Sequence, residues 1–389
     1  MSLREDTGRH IQALDGVRGV AILMVIFFHA HNVFLNSAEM PWAVFQLFGM
    51  MWAGVDLFFV LSGFLITGIL LDSSGSPNYF RIFYIRRILR IFPLYFAYLF
   101  FILAIVRILF QHFLRLDEWP SSKTWWYFLY LQNWKPGHGA DDRYLDHLWS
   151  LAIEEQFYLI WPAVLWLLSR KRLPWATLGL AGVALGARLY FGSHGTGAEA
   201  LYRLTPTHMD GLAIGAFACA AVRQFRWRLD PWVKPVFMCS ALVFVVLAAK
   251  SPVWSDPWLR TAGVTSLAIA CACVVFRAAT AGSGLVHCVF SVSWLRSCGK
   301  YSYGMYVWHA SMFSFTLPYV QRLTSHGWPW ALALSLKYLY LPVLAASAYG
   351  VARISWACLE EPFQRLKRYA PYRAVQPEET FSEQAAEVR

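Results

Sequence analysis

Long apolar stretches, each near the length of a membrane-crossing helix, recur along the chain and are broken by short polar segments. A hydrocarbon core of about 30 Å takes roughly 20 helical residues. Runs of that kind fall at 13–34, 48–71, 91–113, 148–168, 174–191, 205–222, 233–249, 259–277, 301–319 and 330–356. The pattern predicts an all-α fold, a polytopic membrane bundle of about ten transmembrane helices. Stretch 124–133 (TWWYFLYLQN) is apolar but short, and reads as an interfacial or re-entrant piece. A transmembrane domain is expected over residues 1–363, followed by a polar tail over 364–389 that is too short for a second folded domain. No internal repeat of the kind that marks many transporters is evident.

Composition strengthens this reading. The 389 residues are 58% hydrophobic and only 15% charged, against about 25% charged in an average soluble protein. Disordered, coiled-coil and collagen-like chains are excluded. A net charge of +11 would suit nucleic-acid binding if it formed a solvated face, but Lys and Arg cluster in short segments between the apolar runs. Alternate segments hold 21 and 7 of these residues. The richer set includes both ends of the chain, so both termini are expected in the cytoplasm. The seven cysteines show no zinc-type spacing, and no metal is expected.

Ionisable groups inside such spans are costly and tend to line a cavity. Arg18, His29, Asp56, Glu154, Glu155, Arg188, His208, Asp210, His309 and Arg353 are of this kind. At 1.5 Å per residue, His29 lies about 24 Å above the inner edge, Asp56 about 22 Å, Glu154 about 21 Å and Asp210 about 18 Å, with His309 lower, near 12 Å. The agreement of the first four within about 6 Å predicts a shared polar pocket just outside the midplane.

Arg18 and His29 are eleven residues apart, about 20° from three full turns, so they share one stripe of the first helix. His29 is the candidate general base, because an imidazole titrates near neutrality. The competing account has Arg18 reaching lipid phosphate and His29 filling a packing gap. Arg81, Arg86, Arg87 and Arg90 could hold an anionic ligand such as a nucleotide diphosphate, or serve topology and lipid contact alone. Glu154 and Glu155 cannot both face lipid, and at least one should meet a cation, for example Arg188, or act in acid–base chemistry. His208 and Asp210 sit among small residues that permit close packing. His309 follows an aromatic segment. Ser62, on a helix, reads as a packing residue rather than a nucleophile.

Taken together, ALDGVRGVAILMVIFFHA, GVDLFFVLSGFLITG, FYIRRILRIFPLYF, HLWSLAIEEQFYLIWP, HMDGLAIGA, GKYSYGMYVWHA and LEEPF resemble, in content and order, the acyltransferase-3 family of bacterial integral-membrane O-acyltransferases. The resemblance covers residues 13–363. It implies transfer of an acyl group, expected to be acetyl, from acyl-CoA to a hydroxyl of a cell-surface carbohydrate or lipid-linked saccharide, in the bacterial plasma membrane. It marks Arg18 and His29 as catalytic, and Arg87 and Arg90, with Arg86 beside them, as the acyl-donor side. Glu154 and Asp56 are candidates to orient His29; Glu155, Asp210, His208 and His309 are candidate pocket residues. Some members carry a C-terminal esterase-like domain, which is not expected here. Relatives often have Arg where this chain has His208, which leaves the partner of Asp210 open. A proton-coupled transporter is the competing class.

Overall fold

In lipid, backbone polar groups are satisfied within a helix or a closed barrel, and among the described residues the regular structure is entirely helical. The computed structural model describes residues 11–34, 42–106, 124–135, 144–250, 256–324 and 330–372. The long helices are α1 (Gln12–Phe34), α2 (Ala53–Asp72), α3 (Tyr79–Phe100), α4 (Trp149–Leu167), α5 (Leu173–Ser193), α6 (Asp210–Lys250), α7 (Val264–Thr280), α8 (Ser302–Thr324) and α9 (Trp330–Ser355). Among the described residues, six segments are long and apolar enough to cross a membrane: Gln12–His31, Val44–Asp72, Tyr79–Ile105, Arg228–Lys250, Leu259–Thr280 and Ser335–Tyr369. The other long helical runs carry Glu154 and Glu155 on α4, Arg188 on α5, Asp210 on α6 and His309 on α8. Those polar groups lower their hydropathy, and they are the groups that make the sites described below.

Two predicted spans, 205–222 and 233–249, appear as one continuous helical run, yet the run doubles back. Arg223 pairs with Asp72 at the end of α2. Phe244 packs edge-on against Trp52 at the start of α2, with ring centroids 5.9 Å apart. A straight helix would place these residues about 30 Å apart in the wrong sense. The chain therefore reverses between them, where Pro231 and Pro235 interrupt the backbone hydrogen-bond ladder.

The span expected at 91–113 begins earlier, at Tyr79, so Arg81, Arg86, Arg87 and Arg90 lie within α3 rather than in a loop. Segment 124–133 forms two short turns, Trp125–Phe128 and Gln132–Trp134, and no span. Part of the expected polar tail packs back on the bundle. Asn78 Nδ2 donates to Pro371 O (3.1 Å) and Arg86 Nε to Ala370 O (2.8 Å). The Arg86 guanidinium also lies over the Tyr372 ring at 5.2 Å. Arg86 is thus committed to a structural strap.

With lipid outside, helices associate through close van der Waals packing rather than hydrophobic exclusion. At the α2–α6 crossing, a Cβ on Gly63 would fall 1.9 Å from Leu212 O, and one on Gly215 would fall 1.9 Å from Val60 O. No side chain fits at either position. The outer surface carries the large apolar residues instead, among them Leu159, Trp166, Trp175, Val183 and Leu242.

Gly63→Leu should destabilise the bundle by at least about 1–3 kcal/mol, seen as a lower thermal midpoint in detergent. Gly186→Leu, where no atom lies within 4 Å, should leave the midpoint unchanged. Equal behaviour of the two would contradict the packing account.

Candidate active site

A cavity of about 110 Å³ opens between α1, α2, α3, α4 and α8. Arg18 comes from α1, Ser62 from α2, Arg87 and Arg90 from α3, Glu154, Glu155 and Tyr158 from α4, and Tyr306 from α8. The three arginines occur where 3.6-residue periodicity turns them inward, Arg87 and Arg90 being one helical turn apart.

Ser62 Oγ donates to Glu154 Oε1 (2.8 Å), and Tyr158 O–H donates to Glu154 Oε2 (3.1 Å). Both carboxylate oxygens are therefore fixed by neutral donors. Arg18 Nη1 reaches Asp15 Oδ1 at 3.1 Å. Arg87 Nε is buried without a hydrogen-bond partner, and its guanidinium lies over the Phe83 ring at 5.8 Å. Among the described residues, neither Arg87 nor Arg90 forms an ion pair. With Arg18 paired to Asp15 and Glu154 held by hydroxyls, the guanidiniums of Arg87 and Arg90 share the cavity with Glu155 alone as a further carboxylate. Such a surplus of donors suits an anion, because guanidinium forks match phosphate oxygens.

Arg18 also lines a second cavity of about 620 Å³, which runs past Asp72, Arg223, Arg226 and His287. One side chain therefore borders both spaces. Asp72 is held by Arg223 in two hydrogen bonds of 2.5 and 2.9 Å.

Beyond Tyr306 lie three imidazoles. The rings of His29 and His309 are 4.9 Å apart by centroid, and those of His309 and His147 are 5.1 Å apart. Tyr306 packs against both His147 and His309. Its O–H donates to His147 O (2.6 Å) and its oxygen lies 2.6 Å from Ser150 Oγ. Tyr306 and Ser150 both line the arginine cavity, so they form the wall between the cationic and imidazole regions.

The predicted single pocket divides. Asp56 lies in a buried network in which His208 Nε2 meets Asp56 Oδ1 (2.9 Å) and Tyr202 O–H donates to Asp56 Oδ2 (3.1 Å). Asp210 receives a two-pronged pair from Arg188, Nη1 to Oδ1 at 2.9 Å and Nη2 to Oδ2 at 2.6 Å, and Thr265 joins both. Asp56, His208 and Asp210 therefore do not line the arginine cavity. Common depth fixes the height of a side chain but leaves its direction around the helix open. Arg188 is the partner of Asp210 and not of Glu154. His29 is oriented by Val25 O, which its Nδ1 approaches at 2.8 Å, and not by Asp56 or Glu154. Arg86 does not line the cavity either.

The sequence reading missed His147, Tyr158 and Tyr306. His147 precedes Glu154 by seven residues, two helical turns, and Tyr306 precedes His309 by three, so same-face spacing was the available signal. Ser62 is more than a packing residue, since it fixes Glu154.

The sequence profile of the acyltransferase domain family matches residues 11–358. The chain is 29% identical to the peptidoglycan O-acetyltransferase OatA of Listeria monocytogenes, over 92% of this chain and 56% of that protein. It is 32% identical to the putative peptidoglycan O-acetyltransferase YrhL of Bacillus subtilis, over 88% of this chain and 54% of that protein. A putative O-acetyltransferase of Staphylococcus aureus is 26% identical, over 92% and 58%. The chain thus spans about half the length of these relatives. No solved structure matches.

The Arg188–Asp210 pair is fully buried, at 2% and 0% side-chain exposure. Arg188→Met should cost about 3–5 kcal/mol by leaving a buried carboxylate alone. Adding Asp210→Leu should restore most of the loss, read by thermal unfolding. A double variant no more stable than the single one would refute the pairing account.

Proposed function

The chain belongs to the acyltransferase-3 family, and on that premise we propose that it transfers an acetyl or other acyl group from acyl-CoA to a hydroxyl of a cell-envelope glycan. It does so as a multi-pass protein of the bacterial plasma membrane, with about ten spans and both termini in the cytoplasm. The names of two relatives point to peptidoglycan as the glycan.

The observation that carries this reading is the stacking of a cationic cavity and an imidazole cluster along one stripe of α1. Eleven residues separate Arg18 from His29, a rise of about 16 Å. The phosphopantetheine arm of an acyl-CoA spans roughly 14 Å. A donor entering from the inner side past Arg18 can set its diphosphate against Arg87 and Arg90. Its thioester then lies beside Tyr306 and His29. Arg86, held by the strap, takes no part.

His29 Nδ1 faces a backbone carbonyl, so in the neutral ring that nitrogen carries the proton and Nε2 is the base. Nε2 takes the proton of the acceptor hydroxyl as its oxygen attacks the thioester carbonyl. The C–S bond breaks, the new C–O ester bond forms, and the leaving thiolate takes the proton back from His29. Arg18 holds negative charge on the donor and is too far along α1 to touch the carbonyl. Glu154, fixed by Ser62 and Tyr158, limits the surplus positive charge so that the donor can leave after turnover.

With purified protein and labelled acetyl-CoA, His29→Gln should lower transfer about 10²–10⁴-fold. Arg18→Ala, and Arg87→Ala with Arg90→Ala, should chiefly raise the KM for donor, about tenfold or more. Retained transfer in His29→Gln would overturn the assignment. Label that moves across vesicles without becoming covalently attached would favour a carrier.

A further inference from the structure

The three imidazoles share a feature that the transfer step uses only at His29. Each ring has one nitrogen facing a backbone carbonyl: His29 Nδ1 at Val25 O (2.8 Å), His309 Nδ1 at Tyr306 O (2.6 Å) and His147 Nε2 at Val307 O (3.1 Å). In a neutral imidazole, the nitrogen that donates to a carbonyl carries the only proton, and the other nitrogen can only accept. Backbone carbonyls, local for His29 and His309 and on α8 for His147, therefore fix all three tautomers and leave three acceptors: His29 Nε2, His309 Nε2 and His147 Nδ1. The last two are buried and have no hydrogen-bond partner, and their residues are 0% and 4% exposed. Two buried lone pairs without donors are uncommon in a folded protein. Among the described residues no three His, Cys, Asp or Glu are grouped to hold a metal ion. Each of the two orphaned nitrogens can accept one O–H or N–H hydrogen bond.

We propose that His309 and His147 hold the acceptor sugar through hydroxyls next to the one that His29 deprotonates. The site then selects for a polyhydroxylated ring over a simple alcohol. The two orphaned nitrogens receive hydrogen bonds from neighbouring sugar hydroxyls, and the tilted rings, at interplanar angles of 67° and 79°, present their acceptors from different directions. Tyr306 lines the arginine cavity and packs against His147 and His309, so it stands between this acceptor site and the diphosphate end of the donor. The inference rests on the proposed acyl transfer and adds to it the residues and chemistry of acceptor choice.

The test uses purified full-length protein, acetyl-CoA, and methyl N-acetylglucosaminide with its 3-, 4- and 6-deoxy analogues as acceptors. Wild type should prefer the parent glycoside to at least one deoxy analogue by about tenfold or more in kcat/KM. His147→Gln keeps an amide donor for Val307 O and removes the Nδ1 acceptor. His309→Asn keeps a donor for Tyr306 O and removes the Nε2 acceptor. In each, the preference for one hydroxyl should fall to within about twofold of unity. His309→Gln, which returns an acceptor near Nε2, should recover part of it. A merely structural role would lower all acceptors together and leave the ratios unchanged, and that result would overturn the proposal. Equal wild-type rates with the parent and every deoxy analogue would overturn it without any variant. Wild-type protein that acetylates none of them and consumes no acetyl-CoA would instead refute the acyl-transfer reading.

Discussion

A charge within the hydrocarbon slab must find its counter-charge or donors inside the protein, because lipid offers none. This constraint sorts the polar groups of the bundle. Arg188 with Asp210, and His208 with Asp56, are closed pairs: the Thr265 and Tyr202 hydroxyls donate to the carboxylates, and the Thr207 carbonyl accepts from Arg188. They tie α2, α5, α6 and α7 together and ask for nothing further. The cavity behind Arg18 is different. There, among the described residues, the guanidiniums of Arg87 and Arg90 have no carboxylate of their own, and the two orphaned imidazole nitrogens lie just past Tyr306. Structure resides where the accounts close, and chemistry resides where they stay open.

On the proposed acyl transfer, that division also orders the two substrates. The open positive charge is on the side of α1 that carries Arg18, and the open hydrogen-bond acceptors are on the side that carries His29. A polyanionic donor and a hydroxyl-bearing acceptor would therefore approach from opposite ends of one stripe, with Tyr306 between them. The Gly63–Gly215 crossing makes this possible, since it holds α6 against α2 closely enough for the closed pairs to form.

Much of this was legible in the sequence, for reasons that can be named. Helix lengths follow from bilayer thickness, and the predicted runs at 148–168, 174–191 and 330–356 agree with α4, α5 and α9 to within a few residues. The eleven-residue spacing of Arg18 and His29 survives because helical geometry is rigid. What was not legible was direction around the helix. Asp56, Glu154 and Asp210 were expected together on the strength of depth, yet neighbouring helices supply each with a different partner. Arg86 read as part of an anion site, but its partner is the backbone near Ala370, some 280 residues away. The reversal within Asp210–Lys250 was visible only as two apolar runs, since a proline-bearing turn can be as short as a helix interruption.

The central claim is that the open cations of Arg87 and Arg90 and the imidazole of His29 serve one extended donor molecule. The most direct measurement is an experimental structure of the full chain in lipid nanodiscs with a non-hydrolysable thioether analogue of acetyl-CoA. The account predicts diphosphate oxygens within hydrogen-bond distance of Arg87 and Arg90, and the thioether sulfur beside His29 on the Tyr306 side. Density for the analogue against Arg223 and Arg226 alone, with its acyl end pointing away from His29, would contradict it.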